Sequence, residues 1–170
     1  KVFIFFIFIV GLLSDIKKFN SPKLRLFTQS LLIIIFIYHY EIYLVSTNII
    51  FLDYFLKDYL FSIIFTSFCI LIIVNGSNFI DGVNTLVLGY YLILSCSLFY
   101  LSSKGYIVNF DLKIEYLAAV LFSLFVFNFF NKLYLGDSGS YLLGFIFSIG
   151  LVQFYIENID ISPFFIILLL

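Results

Sequence analysis

The sequence predicts an all-α fold, a bundle of transmembrane helices, and three observations carry that prediction. The 170 residues are 64% hydrophobic and 11% charged, where a soluble domain is nearer half apolar and a quarter charged. Mean hydropathy is +1.18, more apolar surface than a soluble core of this size could hide. The apolar residues fall in continuous runs and not in the alternating ten-residue segments of a membrane barrel. The net charge of −1 says nothing about nucleic acid, and there is no basic stripe to bind one.

Taken in order, the chain reads as six spans and the start of a seventh. Val2–Leu13 is an incomplete first span. Lys1 ahead of it imitates a signal peptide, but no small-residue cleavage site follows. Ser14–Arg25 is a polar loop. Ser21-Pro22 within it fits a helix start, with Ser as the cap and Pro at the first helical position. The second span is Leu26–Val45, with His39 and Glu41 near its far end, and 46–58 is a connector of mixed character. Tyr59–Val74, the third span, is short for a bilayer that asks for about 20 residues. The loop Asn75–Asn84 leads to a fourth span, Thr85–Leu101. After the polar connector 102–113 come the fifth span, Ile114–Phe130, and the loop Asn131–Ser140. Tyr141–Tyr155 is the sixth span, 157–163 a connector, and Phe164 opens the seventh. The sequence has no Met and stops within an apolar run. It reads as a single transmembrane catalytic domain, residues 1–170, truncated at both ends. Cys69 and Cys96 each sit inside an apolar run and read as small packing residues, not as a disulfide.

Successive spans alternate direction, so Ser14–Arg25, Asn75–Asn84 and Asn131–Ser140 share one face of the membrane. That face carries the five bases Lys17, Lys18, Lys23, Arg25 and Lys132, and only three acids, Asp15, Asp81 and Asp137. The opposite face carries Lys57, Lys104 and Lys113, with Lys1 at the chain start. The positive-inside rule therefore puts the three loops in the cytoplasm. An acid at a membrane edge is a candidate functional residue by default. Three acids among several cations suit a divalent ion with phosphates: a hard cation such as Mg²⁺ takes carboxylate oxygens and keeps phosphate oxygens as further ligands, while lysines screen the remaining charge.

Each loop has its own pattern. In Asn75–Asn84, the residues Asn75, Asn78, Asp81 and Asn84 recur every three positions, which on a helical turn lines four polar groups along one face. Capping a helix needs one or two such groups, so a polar ligand such as a nucleotide or sugar is the better account. In Gly136-Asp137-Ser138-Gly139-Ser140, Asp137 or Ser138 could serve as an ordinary N-cap. The helix start behind them is itself an anion site, and Lys132 is near enough in sequence to reach the same phosphate. The lysines of the first loop read better as a solvated membrane anchor than as site residues, while for Asp15 the two readings stand nearly even. His39 reads as a structural residue.

With these motifs in place, the chain resembles the polyprenyl-phosphate N-acetylhexosamine-1-phosphate transferase superfamily. The likeness covers about residues 11–150. Gly11-Leu-x-Ser-Asp-x-x-Lys-x-x-Ser-Pro-Lys-x-Arg25 is similar to the family's paired-aspartate loop. Asn75-x-x-Asn78-x-x-Asp81-Gly82-x-Asn84 is similar to its Asn/Asp-Gly loop, and Asn128 with Gly136-Asp137-Ser138-Gly139-Ser140 to its Gly-Asp-x-Gly-Ser loop. There are two departures. Ser14 stands where the family has the first Asp of its pair, and Asn84 stands where it has an Asp.

The resemblance implies transfer of HexNAc-1-phosphate from a UDP-sugar to polyprenyl (undecaprenyl) phosphate, with release of UMP, in a bacterial inner membrane. It implies Asp15, Asp81 and Asp137 as catalytic residues, with Asp137 and Asp15 holding Mg²⁺ or Mn²⁺. It implies Lys18, Asn75, Asn78, Gly82, Asn84, Asn128, Lys132 and Ser138 as substrate contacts, and a homodimer as an assembly open to the chain. Peptidoglycan lipid-I synthase chemistry, a membrane transporter and an inactive paralogue are the alternatives. A transporter would place its acids deep inside the spans.

Overall fold

A computed structural model describes residues 2–110, 113–158 and 160–162. Among them are seven helices and no strand: α1 (Val2–Asp15), α2 (Pro22–Tyr40), α3 (Ile50–Leu56), α4 (Tyr59–Ile80), α5 (Leu86–Ser103), α6 (Ile114–Phe129) and α7 (Gly136–Glu157). The expected seventh span, from Phe164, lies outside the described residues. Three helices, α4, α5 and α7, are long and apolar enough to cross a membrane, and α1 and α6 are shorter apolar helices. At about 1.5 Å per residue, the 22 residues of α4 and of α7 reach roughly 33 Å.

Three boundaries differ from the sequence reading, each for a local reason. Helix α2 starts where the Ser-Pro signal places it, with Ser21 accepting the Leu24 N–H and Pro22 at the first helical position. It ends at Tyr40, where Glu41 turns left-handed at φ 55. Helix α4 runs on through Asn75 and Asn78 to Ile80, since those amides find partners on neighbouring helices and need no loop. Helix α7 begins at Gly136, so the Gly-Asp-Ser-Gly-Ser stretch is its first turn. The connector 46–58 contains α3, whose Asp53 ties it to the residues just before it by accepting from Ser46 and Thr47.

Helix α7 is the axis of the bundle, the most buried of the three long apolar helices. One core joins α7 to α1, α2 and α4 through Ile7, Ile33, Phe36, Val74 and Phe145. A second joins its other side to α5 and α6 through Leu88, Tyr91, Leu121 and Phe147. The Tyr91 and Phe147 rings stack 4.5 Å apart. Lipid gives helices no hydrophobic reason to associate, so close approach at small residues has to supply the contact. Gly144 does so between α7 and α4: a Cβ there would lie 2.8 Å from Val74 Cα and 2.9 Å from Ser77 Oγ. Gly11 does so between α1 and α7, where a Cβ would lie 2.7 Å from both Asp137 O and Ser138 N. Cys69 and Cys96 are free.

The result is a bundle with two unlike ends. The ends of α1 and α4 and the starts of α2 and α7 meet at one of them. A largely apolar cavity of about 580 Å³, lined by Tyr40, Phe110, Leu117, Gly150 and Gln153 among others, lies at the other.

Candidate active site

The first turn of α7 has no side-chain cap of its own; Leu135 occupies the N-cap position. Its free amides are taken by acids from two other helices. Asp15, the last residue of α1, accepts the Asp137 N–H at 2.8 Å on one oxygen and the Ser138 N–H at 3.0 Å on the other. Asp81, just past the end of α4, accepts the Gly136 N–H. Two carboxylates at the positive end of a helix dipole are a favourable arrangement. It also explains Gly136. The residue sits at φ +67, and a Cβ would come within 3.0 Å of both Asp15 oxygens.

Asp137 turns its carboxylate the other way, toward α2 and α4. Its Oδ2 accepts from Arg25 at 2.7 Å in an ion pair, and from the Ser14 hydroxyl. Arg25 also donates to Ser14. Asp137 Oδ1 accepts from Asn78 Nδ2 at 2.6 Å, and Asn78 reaches on to Ser140 Oγ at 3.1 Å. The side chains of Arg25 and Asp137 are 23% and 28% exposed, so the pair is reachable from water yet partly shielded.

Three carboxylates thus meet with one guanidinium in ion-pair range of Asp137. Burial, helped by the nearby charges of Asp137 and Asp15, raises Asp81 from 3.8 to about 6, against the opposing pull of the Gly136 amide. The sign for stability follows from linkage. A carboxyl whose folded pKa lies above its unfolded value favours the folded state fully only below about pH 4. That contribution is lost as pH rises through about 6. Asp81→Asn is therefore expected to raise the thermal midpoint at pH 7.5 in divalent-free detergent buffer, with the gain vanishing by pH 4. Paired melts of wild type and variant check this.

The remaining expected residues are dispersed around this centre. Asn75 donates to Gln29 Oε1 at 3.0 Å and to Leu71 O at 2.9 Å, a turn deeper than Asn78. Asn84 donates to Asn131 Oδ1 at 2.7 Å, so the stripe of four divides: Asn75 turns to α2, Asn78 and Asp81 to the first turn of α7, and Asn84 to the loop after α6. Asn128 is buried and ties loops together: its Oδ1 accepts the Thr85 N–H at 2.6 Å and its Nδ2 donates to Leu133 O at 2.7 Å. Lys18, Lys132 and Gly82 are exposed, and the Ser138 backbone is against Asp15.

Two residues central to the geometry were not picked out from the sequence. Arg25 reads there as one of five bases on the motif face and as the last residue of the first motif, with no role of its own. Its position three residues after a Ser-Pro helix start, where it points back over that helix's first turn, is the signal that separates it from the lysines. Gln29 follows four residues later on the same face and is fully buried, an amide in an apolar helix that needs a partner.

The donor set, carboxylate oxygens with one amide, is that of a hard cation. Among the described residues no three His, Cys, Asp or Glu side chains form a ready metal cage. The sequence model of glycosyl transferase family 4 matches residues 1–155. No curated protein and no solved structure matches the chain.

Proposed function

The chain belongs to glycosyl transferase family 4, the polyprenyl-phosphate sugar-1-phosphate transferases, and we propose that it moves HexNAc-1-phosphate from a UDP-sugar to polyprenyl phosphate, releasing UMP. The observation that carries this reading is the gathering of Asp15, Asp81, Asp137, Asn78 and Arg25 around the first turn of α7. The acids stand at helix ends and not within the spans, which favours a transferase at a membrane face over a transporter. The excess of Lys and Arg on that face supports a cytoplasmic orientation in a bacterial inner membrane.

In the proposed reaction an oxygen of the lipid phosphate attacks the β-phosphorus of the UDP-sugar. A new P–O bond forms, the bond from that phosphorus to the bridging oxygen breaks, and the electron pair leaves on UMP. A phosphate monoester loses its second proton near pH 6, so the attacking group is already largely ionised. No strong base is needed, and Ser14 in place of an aspartate is tolerable. Catalysis is then positioning and charge neutralisation. Asp137 and Asp15 would hold Mg²⁺ or Mn²⁺, which when bound neutralises charge on the diphosphate. Asn78 fixes the Asp137 carboxylate from one side, and Arg25 and Ser14 fix it from the other. Lys18 and Lys132 stand on the exposed rim, where diphosphate charge would arrive.

Full-length protein in membranes, given UDP-GlcNAc and undecaprenyl phosphate, should release UMP and form a lipid-linked diphosphosugar in equal amounts. UMP release without the lipid product would overturn the transfer reading. If neither product forms with any UDP-HexNAc, an inactive paralogue becomes the better description. Ser14→Ala removes two hydrogen bonds to charged partners, the Asp137 carboxylate and the Arg25 guanidinium, and leaves the Arg25–Asp137 pair, a loss of about 1.5–3 kcal/mol. The rate is expected to fall by roughly ten- to a hundredfold, as single-turnover kinetics would show.

A further inference from the structure

Helix α3 is inside out for a helix bordering water. Its one charged residue turns back onto the connector before it: Asp53 Oδ1 accepts from the Thr47 N–H at 2.6 Å and the Thr47 hydroxyl at 2.8 Å, and Oδ2 accepts from the Ser46 hydroxyl at 2.8 Å. Leu56 is 2% exposed. The outward side is Ile50, Phe51 and Tyr54, at 92%, 76% and 72% exposed. A helix bordering water turns its charge out and its apolar side chains in. A contiguous apolar face of this kind marks a binding surface.

The occupant follows from what the face continues into. After the exposed Lys57 and Asp58 of the turn, exposed apolar residues resume on α4 as Leu60, Ile64, Phe68 and Ile72. These are spaced by four residues and so form one stripe down a helix apolar and long enough to span a bilayer. A surface merging with a lipid-facing stripe shares its solvent. Phe and Tyr at such a junction are the side chains that favour the interfacial layer. Asp58, which closes the turn after α3, caps α4 by accepting the Phe61 N–H at 2.8 Å. The short helix is thereby tied to the end of α4 farthest from Asn78 and Asp81.

We propose that α3 lies along the membrane surface opposite the acidic cluster, with its Ile50, Phe51 and Tyr54 face sunk into lipid. It would hold one end of α4 at a set depth while the other end carries Asn78 and Asp81.

The chain contains no Trp, so Phe51→Trp introduces a lone reporter at an exposed position. The full chain would be reconstituted in lipid nanodiscs with plain or brominated phosphatidylcholine. The expected result is blue-shifted emission, quenched by lipids brominated near the headgroup end of the acyl chain and spared by aqueous iodide. Tyr54→Trp, on the same face, should behave alike. Red-shifted emission quenched by iodide would place the face in water and overturn the proposal. Emission shielded from both quenchers would overturn it in favour of a covering protein surface.

Discussion

Asp137→Asn is expected to cut UMP release by roughly 10²–10³-fold, the cost typical of removing one well-placed electrostatic group from a transfer site. The carboxylate accepts from Arg25, Ser14 and Asn78 at once. An amide in its place keeps one acceptor oxygen and turns an NH₂ toward groups that are themselves donors. The Arg25 charge loses its partner, and Asn78 or Ser14 loses an acceptor. Because the Asp137 side chain is 28% exposed, water can relieve part of the misfit, and the helical fold should survive. Initial-rate assays on matched amounts of wild-type and variant membranes, with far-ultraviolet circular dichroism as the fold control, read out both halves. Near wild-type activity would remove Asp137 from the chemistry.

Gly11→Ala is expected to destabilise the bundle by about 1–3 kcal/mol, the range for overpacking a tight contact, and to lower activity with it. The added methyl meets backbone, at Asp137 O and Ser138 N, 2.7 Å away in each case. Backbone cannot rotate aside, so α1 must move off α7. Asp15 lies four residues on along the same face of α1 and would be drawn away from the α7 amides it caps. Gly76→Ala is the control. A Cβ there has nothing within 4 Å, and Ala is the better helix former by about 0.5–1 kcal/mol. Thermal unfolding in detergent should therefore separate the two substitutions by sign.

The helices were legible in the sequence because lipid forces long apolar runs, and their order and alternation brought the three motif segments to one end of the bundle. What the sequence hid was how polar residues are satisfied. Asn75 and Asn78 read as loop residues, since Asn disfavours helix interiors. In the fold, Gln29 and Asp137 meet their amides, so α4 continues through them. The α7 cap was sought among Asp137 and Ser138 but comes from Asp15, 122 residues away in sequence, a distance no local pattern reveals. Helix α3 was too short to stand out, seven residues with an acid in their midst that bonds the connector before it. Arg25 was hidden by its neighbours: Lys17, Lys18 and Lys23 share its charge, and only the fold shows which base reaches Asp137.

A nucleotide sugar bound at the first turn of α7 would shield that turn from reagents in the water. In a background with Cys69 and Cys96 changed to Ser, the single substitution Ser138→Cys can be alkylated with and without UDP-GlcNAc and Mg²⁺. Ser102→Cys, at the opposite end of the bundle, serves as the reference. The account predicts that UDP-GlcNAc slows alkylation at position 138 and leaves position 102 unchanged. Equal rates at position 138 with and without the nucleotide sugar would contradict it.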